Sequence, residues 1–221
     1  MTNELDPQLA ALLQAADDAG IPPIHSFSYV DARDFYVSTA KKLAGETPDN
    51  LDVSDQLIST SLADIPIRTY RPEDTHDQLM PALIYFHGGG WCIGDLDSHD
   101  HVCRWLASHS ECVVISVDYR MGPEHKFPAA VEDAFESANW ISSHSDEFKI
   151  DGNRIAIGGD SAGGNLSAVV TLLAREQGGP HFRCQLLIYP ATDMLMRFPS
   201  HAICGDGYRL TRTSIAWFIS G

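Results

Sequence analysis

Basic residues are scarce. Fifteen Lys and Arg stand against 30 Asp and Glu, leaving a net charge of −15 at pH 7. Such a surface repels phosphate backbones and anionic headgroups, which argues against nucleic acid as a partner. Long hydrophobic runs are missing too: Ala82–Phe86 and Cys112–Val117 fall far short of the roughly 20 residues that cross a bilayer, so no membrane partner is expected. The five cysteines (Cys92, Cys103, Cys112, Cys184, Cys204) are odd in number and form no C-x-x-C, which leaves neither a disulfide framework nor a zinc knuckle. The opening MTNELDPQLA has acids where a secretory signal has bases, and no small-residue cleavage site follows an apolar run. A cytoplasmic protein with reduced thiols is the expectation.

What is present suffices for one large core. In 221 residues, 44% are hydrophobic and 20% charged, enough apolar surface to offset the entropy of ordering the chain. From Asp6 to about Ala44, Leu9, Leu12 and Leu13 recur at helical spacing, Gly-Ile-Pro-Pro interrupts, and Ala32–Leu43 resumes the pattern, predicting two helices before the first strand. The segment from Asp64 to Pro72 alternates and carries two prolines, which predicts an exposed or edge strand. Three short, nearly unbroken apolar runs follow (82–86, 112–117, 154–159), and a fourth at 184–190, with helical periodicity between them. Strands buried on both faces have this texture, so the fold class is α/β, a mostly parallel sheet with helices on both faces.

Chemistry concentrates at two places. Gly159-Asp160-Ser161-Ala162-Gly163 is a G-x-S-x-G that directly follows a predicted strand and directly precedes a predicted helix. In that context the glycines permit a tight, strained turn that pushes the serine hydroxyl out at the end of the sheet as a nucleophile. His87-Gly88-Gly89-Gly90 follows the strand ALIYF and offers bare backbone N–H groups at the same edge. Preorganised donors of that kind stabilise the oxyanion of an attacked ester by about 3–4 kcal/mol each. Gly89, Gly90 and Ala162 are the expected donors, with Gly88 close by, and His87 and Asp160 are read as structural members of the two motifs.

Other constellations point elsewhere. Asp97, His99, Asp100 and His101 have metal-ligand chemistry, but Val102, Trp105 and Leu106 mark the apolar stripe of a helix that Asp97 or Ser98 would cap. No metal and no cofactor are expected. Gly158 and Gly163 stand at phosphate-loop spacing, yet Gly164-Asn165 replaces the Lys and Ser/Thr that such a loop requires.

HGGGW at 87–91, DYR with PEHKFPAAVEDA at 118–133, and GDSAGGN at 159–165 resemble the hormone-sensitive lipase family of α/β-hydrolases, the bacterial family IV carboxylesterases; GDLDSHDHVCRWLA is similar to its acetyl-esterase branch. The resemblance covers essentially the whole chain. It implies a serine carboxylesterase acting on short-chain acyl esters, residues 1–45 contributing helices to a cap, and a hydrolase core over 46–221. Met121-Gly122 and Lys126 depart from the usual Leu-Ala and Pro, away from the proposed chemistry. Asp118, Tyr119, Arg120 and Glu124 are expected to tie loops together. A small-molecule ester is the implied partner, a homodimer is compatible with the reading, and a non-catalytic ligand-binding member of the same family is the alternative.

The acid and base are the gap. Such triads run Ser, then Asp or Glu, then His along the chain. After Ser161 come Asp193, Asp206, His181 and His201. A triad of Ser161, Asp193 and His201 has the right order, but both partners fall on one loop, and geometry rather than order defines a triad. The resemblance implies a catalytic acid and histidine after further strands. The expectation is therefore a core lacking its last strands, with the triad Asp and His beyond residue 221. The final segment TRTSIAWFISG is expected to start an amphipathic helix whose apolar face lacks a partner.

Overall fold

The computed structural model describes residues 5–221. Helix α1 (Pro7–Asp18) is capped by Asp6, whose carboxylate accepts the Gln8 N–H at 2.8 Å. Helix α2 (Tyr29–Leu43) is capped by Ser28. As the sequence predicts, both precede the sheet.

The first strand differs from expectation. Strand β1 (Leu51–Ser59) forms an antiparallel hairpin with β2 (Asp64–Pro72), so β2 is an inner strand and β1 takes the edge. Pro66 is tolerated inside because the β2 ladder with the next strand spans only Ile67–Tyr70, and Pro66 contributes just its carbonyl, to Asp118. Strands β3 (Met80–Phe86), β4 (Val113–Val117), β5 (Ile150–Asp160) and β6 (Gln185–Ile188) occupy the four predicted apolar runs. The sheet order is β1-β2-β4-β3-β5-β6, with β4, β3, β5 and β6 mutually parallel.

The unbroken apolar runs are explained by two cores. Ile84, Phe86, Ile115 and Val117 point towards helices α4 (Ala129–Ser143) and α5 (Ala162–Gln177), where Ala134, Ile141, Leu166 and Val170 meet them. On the opposite face Leu83, Tyr85 and Val114 meet Cys103 and Ala107 of α3 (Asp100–Ser110). Helix α3 starts later than the proposed caps. Asp95 and Ser98 bond each other in a turn, Ser98 N–H to the Asp95 carboxylate at 2.7 Å and Asp95 N–H to the Ser98 hydroxyl at 2.8 Å. Asp97 instead pairs with Lys41 and Arg68.

A short helix α6 (Ser200–Ile203) leads to α7 (Arg212–Ser220). The apolar face of α7 has a partner after all. The Trp217 ring stacks on Tyr29 with centroids 4.1 Å apart, and Trp217 and Phe218 join Phe27, Tyr36, Cys92 and Ile93 in a third apolar cluster. His25 Nδ1 meets Ser214 Oγ at 2.9 Å beside it. Among the described residues no helix is long and apolar enough to cross a membrane.

Candidate active site

Parallel order places the carboxyl ends of β3, β4, β5 and β6 on one edge, where α/β sheets bind ligands. Strand β5 ends at Asp160, and Ser161 turns directly into α5 with φ 51° and ψ −113°. A non-glycine residue holds such a conformation only where its surroundings enforce it. They do so by packing: a Cβ on Gly159 or Gly163 would collide with the Phe86 carbonyl, and one on Gly164 would press on the Gly159 carbonyl at 3.0 Å. The glycines thus let β5, the turn and α5 lie against β3. Ser161 N–H donates to the Ile188 carbonyl at 2.9 Å and its carbonyl accepts Ala191 N–H at 3.0 Å, fixing the turn between strands.

The glycine loop after β3 lies alongside. Gly89 (φ 126°) and Gly90 (φ 60°) adopt backbone angles that L side chains rarely reach. The loop is pinned by Cys92 and Ile93 N–H donating to the Gly89 carbonyl (3.1 and 3.0 Å), and by Tyr119 OH donating to the His87 carbonyl at 2.7 Å. The N–H groups of Gly89, Gly90 and Ala162 meet no protein acceptor among the described residues. Gly88, read with the oxyanion-hole group as lying close to the donors, is engaged elsewhere: its N–H donates to Asp160 Oδ1 at 2.9 Å.

His87 is fully buried and stacks on Tyr119, centroids 4.4 Å apart. Its Nδ1 lies 2.8 Å from the Gly88 carbonyl, which can only accept, so Nδ1 carries the proton. Among the described residues Nε2 has no hydrogen-bond partner; Asp118 Oδ1 at 3.7 Å is too far. The expected loop ties are also present. Arg120 clamps Asp133 with its Nη2 at 2.7 Å from Oδ1, and Glu124 receives Arg33 at 2.6 Å.

Asp160 is the most heavily solicited group of the site. Its Oδ1 accepts Tyr85 OH at 2.8 Å as well as Gly88 N–H, and His99 Nε2 approaches at 3.3 Å. Burial pushes its carboxyl upward, but the neighbouring His99, Tyr85 and Gly88 donors outweigh this and hold it below the ordinary carboxylate range. Of the group considered for a metal, His99 is therefore turned to Asp160 while Asp97 and Asp100 bind Arg68. Among the described residues no His, Cys, Asp and Glu cluster fits an ion.

Ser161 opens into a cavity of about 820 Å³. Leu13, Phe35, Tyr36 and Thr39 of α1 and α2 line one side, and Asp193, His201 and Phe218 line another. Asp193 is occupied by backbone N–H groups of Arg197 (2.8 Å) and Leu195 (3.2 Å), which together with Arg197 hold its carboxyl low. Among the described residues no hydrogen bond joins Ser161, Asp193 and His201. Asp206 accepts the Gly207 N–H, and exposed His181 precedes β6, at the opposite edge of the sheet. The sequence pattern does not mark Tyr36 and Tyr85 as site residues and marks His99 only as a candidate metal ligand; a lone phenol in the apolar strand β3 was the available signal, because its buried hydroxyl needs a partner.

A family model described as the α/β hydrolase fold matches residues 83–220. The chain belongs to the α/β hydrolase family. Several of its relatives are named as carboxylic ester hydrolases or esterases. It is 40% identical to the carboxylic ester hydrolase LipN of Mycobacterium tuberculosis over 98% of this chain and 58% of that protein. To the ethyl acetate hydrolase of Pseudomonas putida it is 37% identical, over 97% of this chain and 70% of the relative. The solved ester hydrolase EH1AB1 from the Lake Arreo metagenome, complexed with a bipyridine phosphonate derivative, superposes with a TM-score of 0.93 at 36% identity, covering 98% of this chain and 70% of that one. The chain spans between 51% and 58% of the length of the mycobacterial esterases it matches.

Proposed function

We propose that the protein hydrolyses short-chain carboxylic esters, with Ser161 as acyl acceptor and the N–H groups of Gly89, Gly90 and Ala162 receiving the oxyanion. The observation that carries this is Ser161 itself, held at φ 51° in a strand-to-helix turn and opening into a cavity beside acceptor-free N–H groups. Attack of Ser161 Oγ on the ester carbonyl forms a tetrahedral centre whose negative oxygen the donors stabilise. Collapse expels the alcohol, and water then releases the acid from the acyl-serine. The named hydrolases among the relatives speak against the ligand-binding alternative.

A serine hydroxyl needs a positioned base, and neither Asp193 nor His201 supplies one in this geometry. Loss of the histidine from such a unit costs about 10⁶ in turnover, so Ser161 served only by Asp193 and His201 as they stand is a very poor nucleophile. The walls contributed by α1 and α2 support a cap role for residues 1–45, with the hydrolase core over 46–221. An odd cysteine count without C-x-x-C spacing favours a cytoplasmic address.

The test is an organophosphate label on the whole natural protein, mapped by mass spectrometry, with acetyl, butyryl and decanoyl esters compared. The adduct is expected on Ser161, and the shorter esters are expected to turn over faster. An adduct at another serine refutes the assignment; faster decanoyl turnover refutes the substrate class.

A further inference from the structure

Three glycines follow His87, and the first does not serve the oxyanion. A Cβ on Gly88 would run into the Asp160 carboxylate, with Cγ only 2.9 Å away. Its N–H is already given to that carboxylate. Gly88 is therefore a glycine because the acid of the serine turn sits against it. The contact joins two segments 72 residues apart in sequence, the loop carrying the open N–H groups and the residue directly before Ser161.

The carboxylate is itself held. Tyr85, fully buried on β3, donates its hydroxyl to the same oxygen that receives Gly88. His99, 4% exposed, closes the far side with Nε2 at 3.3 Å, too long for a tight hydrogen bond but facing the oxygen. The His99 ring is wedged among Tyr36, Tyr85 and His87, with centroids 5.4–6.5 Å away, and cannot swing aside without displacing them. Asp160 thus has two fixed supports, and Gly88 is the group it fixes.

Building on the esterase reading, we propose that Asp160 is a positioning residue. Held by Tyr85 and His99, it sets the glycine loop at the correct distance and tilt from Ser161, and its effect falls on the transition state. It touches no reacting atom in this arrangement. What it controls is where the Gly89 and Gly90 N–H groups stand relative to the serine hydroxyl. A misplacement of about 1 Å in such a site costs on the order of 100-fold in rate. Because the ground-state ester makes little use of those donors, the loss falls on kcat and leaves KM nearly constant.

The whole natural protein would be compared with its Asp160→Ala, Asp160→Asn and Tyr85→Phe variants. Three readouts apply: kcat and KM on an activated acetyl ester, inhibition by a boronic acid against a ground-state ketone analogue, and hydrogen exchange at the Gly88 amide. Asp160→Ala is expected to lose roughly 10- to 100-fold in kcat with KM within twofold. Boronate affinity should fall in parallel while ketone affinity holds. Asp160→Asn retains an acceptor oxygen for Gly88 and should recover most of the rate. Gly88 exchange should accelerate in the alanine variant and less in the other two. If Asp160→Ala does not fold, Tyr85→Phe carries the test, with a smaller kcat loss and faster Gly88 exchange expected. Unchanged Gly88 exchange overturns the proposal, as does a loss in KM alone or an equal loss in the alanine and asparagine variants. Failure of the esterase reading is separate: the unaltered protein then shows no turnover beyond Ser161→Ala, while the exchange measurement still decides whether Asp160 holds the loop.

Discussion

Asp133→Asn removes one charge from the most densely bonded ion pair among the described residues without changing its shape. The Asp133 carboxylate is fully buried on α4 and receives Arg120 through its backbone N–H (2.8 Å), Nε (3.0 and 2.9 Å) and Nη2 (2.7 Å). Asparagine offers one acceptor oxygen where the carboxylate offers two. Either the Arg120 backbone N–H or its guanidinium must then face an amide NH2. Breaking a buried pair costs about 3–5 kcal/mol, and leaving a buried donor unmet about 1–3 kcal/mol. The Arg120 side chain is 30% exposed, so water recovers part of this, and the expected cost is about 2–3 kcal/mol. For a chain of this size that lowers Tm by about 4–12 °C. Urea and thermal unfolding of the wild type, Asp133→Asn, Arg120→Met and the double variant would measure it, with a coupling energy above about 1.5 kcal/mol expected. A Tm change under about 1 °C, or a coupling under about 0.5 kcal/mol, would refute the reasoning.

Gly163→Ala should abolish Ser161 labelling and lower stability by several kcal/mol, because its Cβ meets the Phe86 carbonyl and β3 cannot yield; labelling at the normal rate would show that the close approach does not matter. Asp160 is held below its ordinary range, so its ionised form adds stability above the unfolded value near pH 4 and loses it as pH falls through the folded value. The stability gap between the wild type and Asp160→Asn should therefore be largest above about pH 4 and close below it, and a gap that widens on acidification contradicts the sign. Trp217→Ala should free α7 from the Tyr29 stack, costing about 2 kcal/mol and speeding proteolysis within 205–221; an unchanged cleavage pattern would show that the stack is dispensable.

Strands β3, β4 and β5 were legible because each is covered on both faces, which leaves nearly pure apolar runs between helical segments; β6 was legible from its apolar run although it lies at the edge with Leu187 exposed. Strand β1 was not, because only Leu51 and Ile58 near its ends are buried, while Leu57 stays 65% exposed and no alternation survives. The prolines of β2 suggested an edge, and only the short ladder with β4 explains why Pro66 sits inside. At the site, Ser161 and the glycine loop could be read from motif and context. The separate task of Gly88 could not, since it depends on a carboxylate 72 residues away and on two further side chains, Tyr85 and His99, that no local pattern connects. The docking of α7 on His25 and Tyr29 was hidden for the same reason: its contacts join residues 189 and 188 apart in sequence.

That separation has a consequence for how the molecule comes into being. Tyr29 OH donates to the Trp217 carbonyl across 188 residues, and the Trp217 ring covers the Tyr29 ring. On a ribosome adding about 5–20 residues per second, α2 emerges roughly 10–40 s before the helix that covers it. During that interval Tyr29, Phe27 and Ile24 have no Trp217 or Phe218 against them, although the hairpin of β1 and β2 and the strands β3 to β5 are already available to pair. The sheet is thus free to assemble before one wall of the Ser161 cavity can be completed. A nascent chain halted near residue 200 should carry a protease-resistant sheet and a protease-sensitive N-terminal segment.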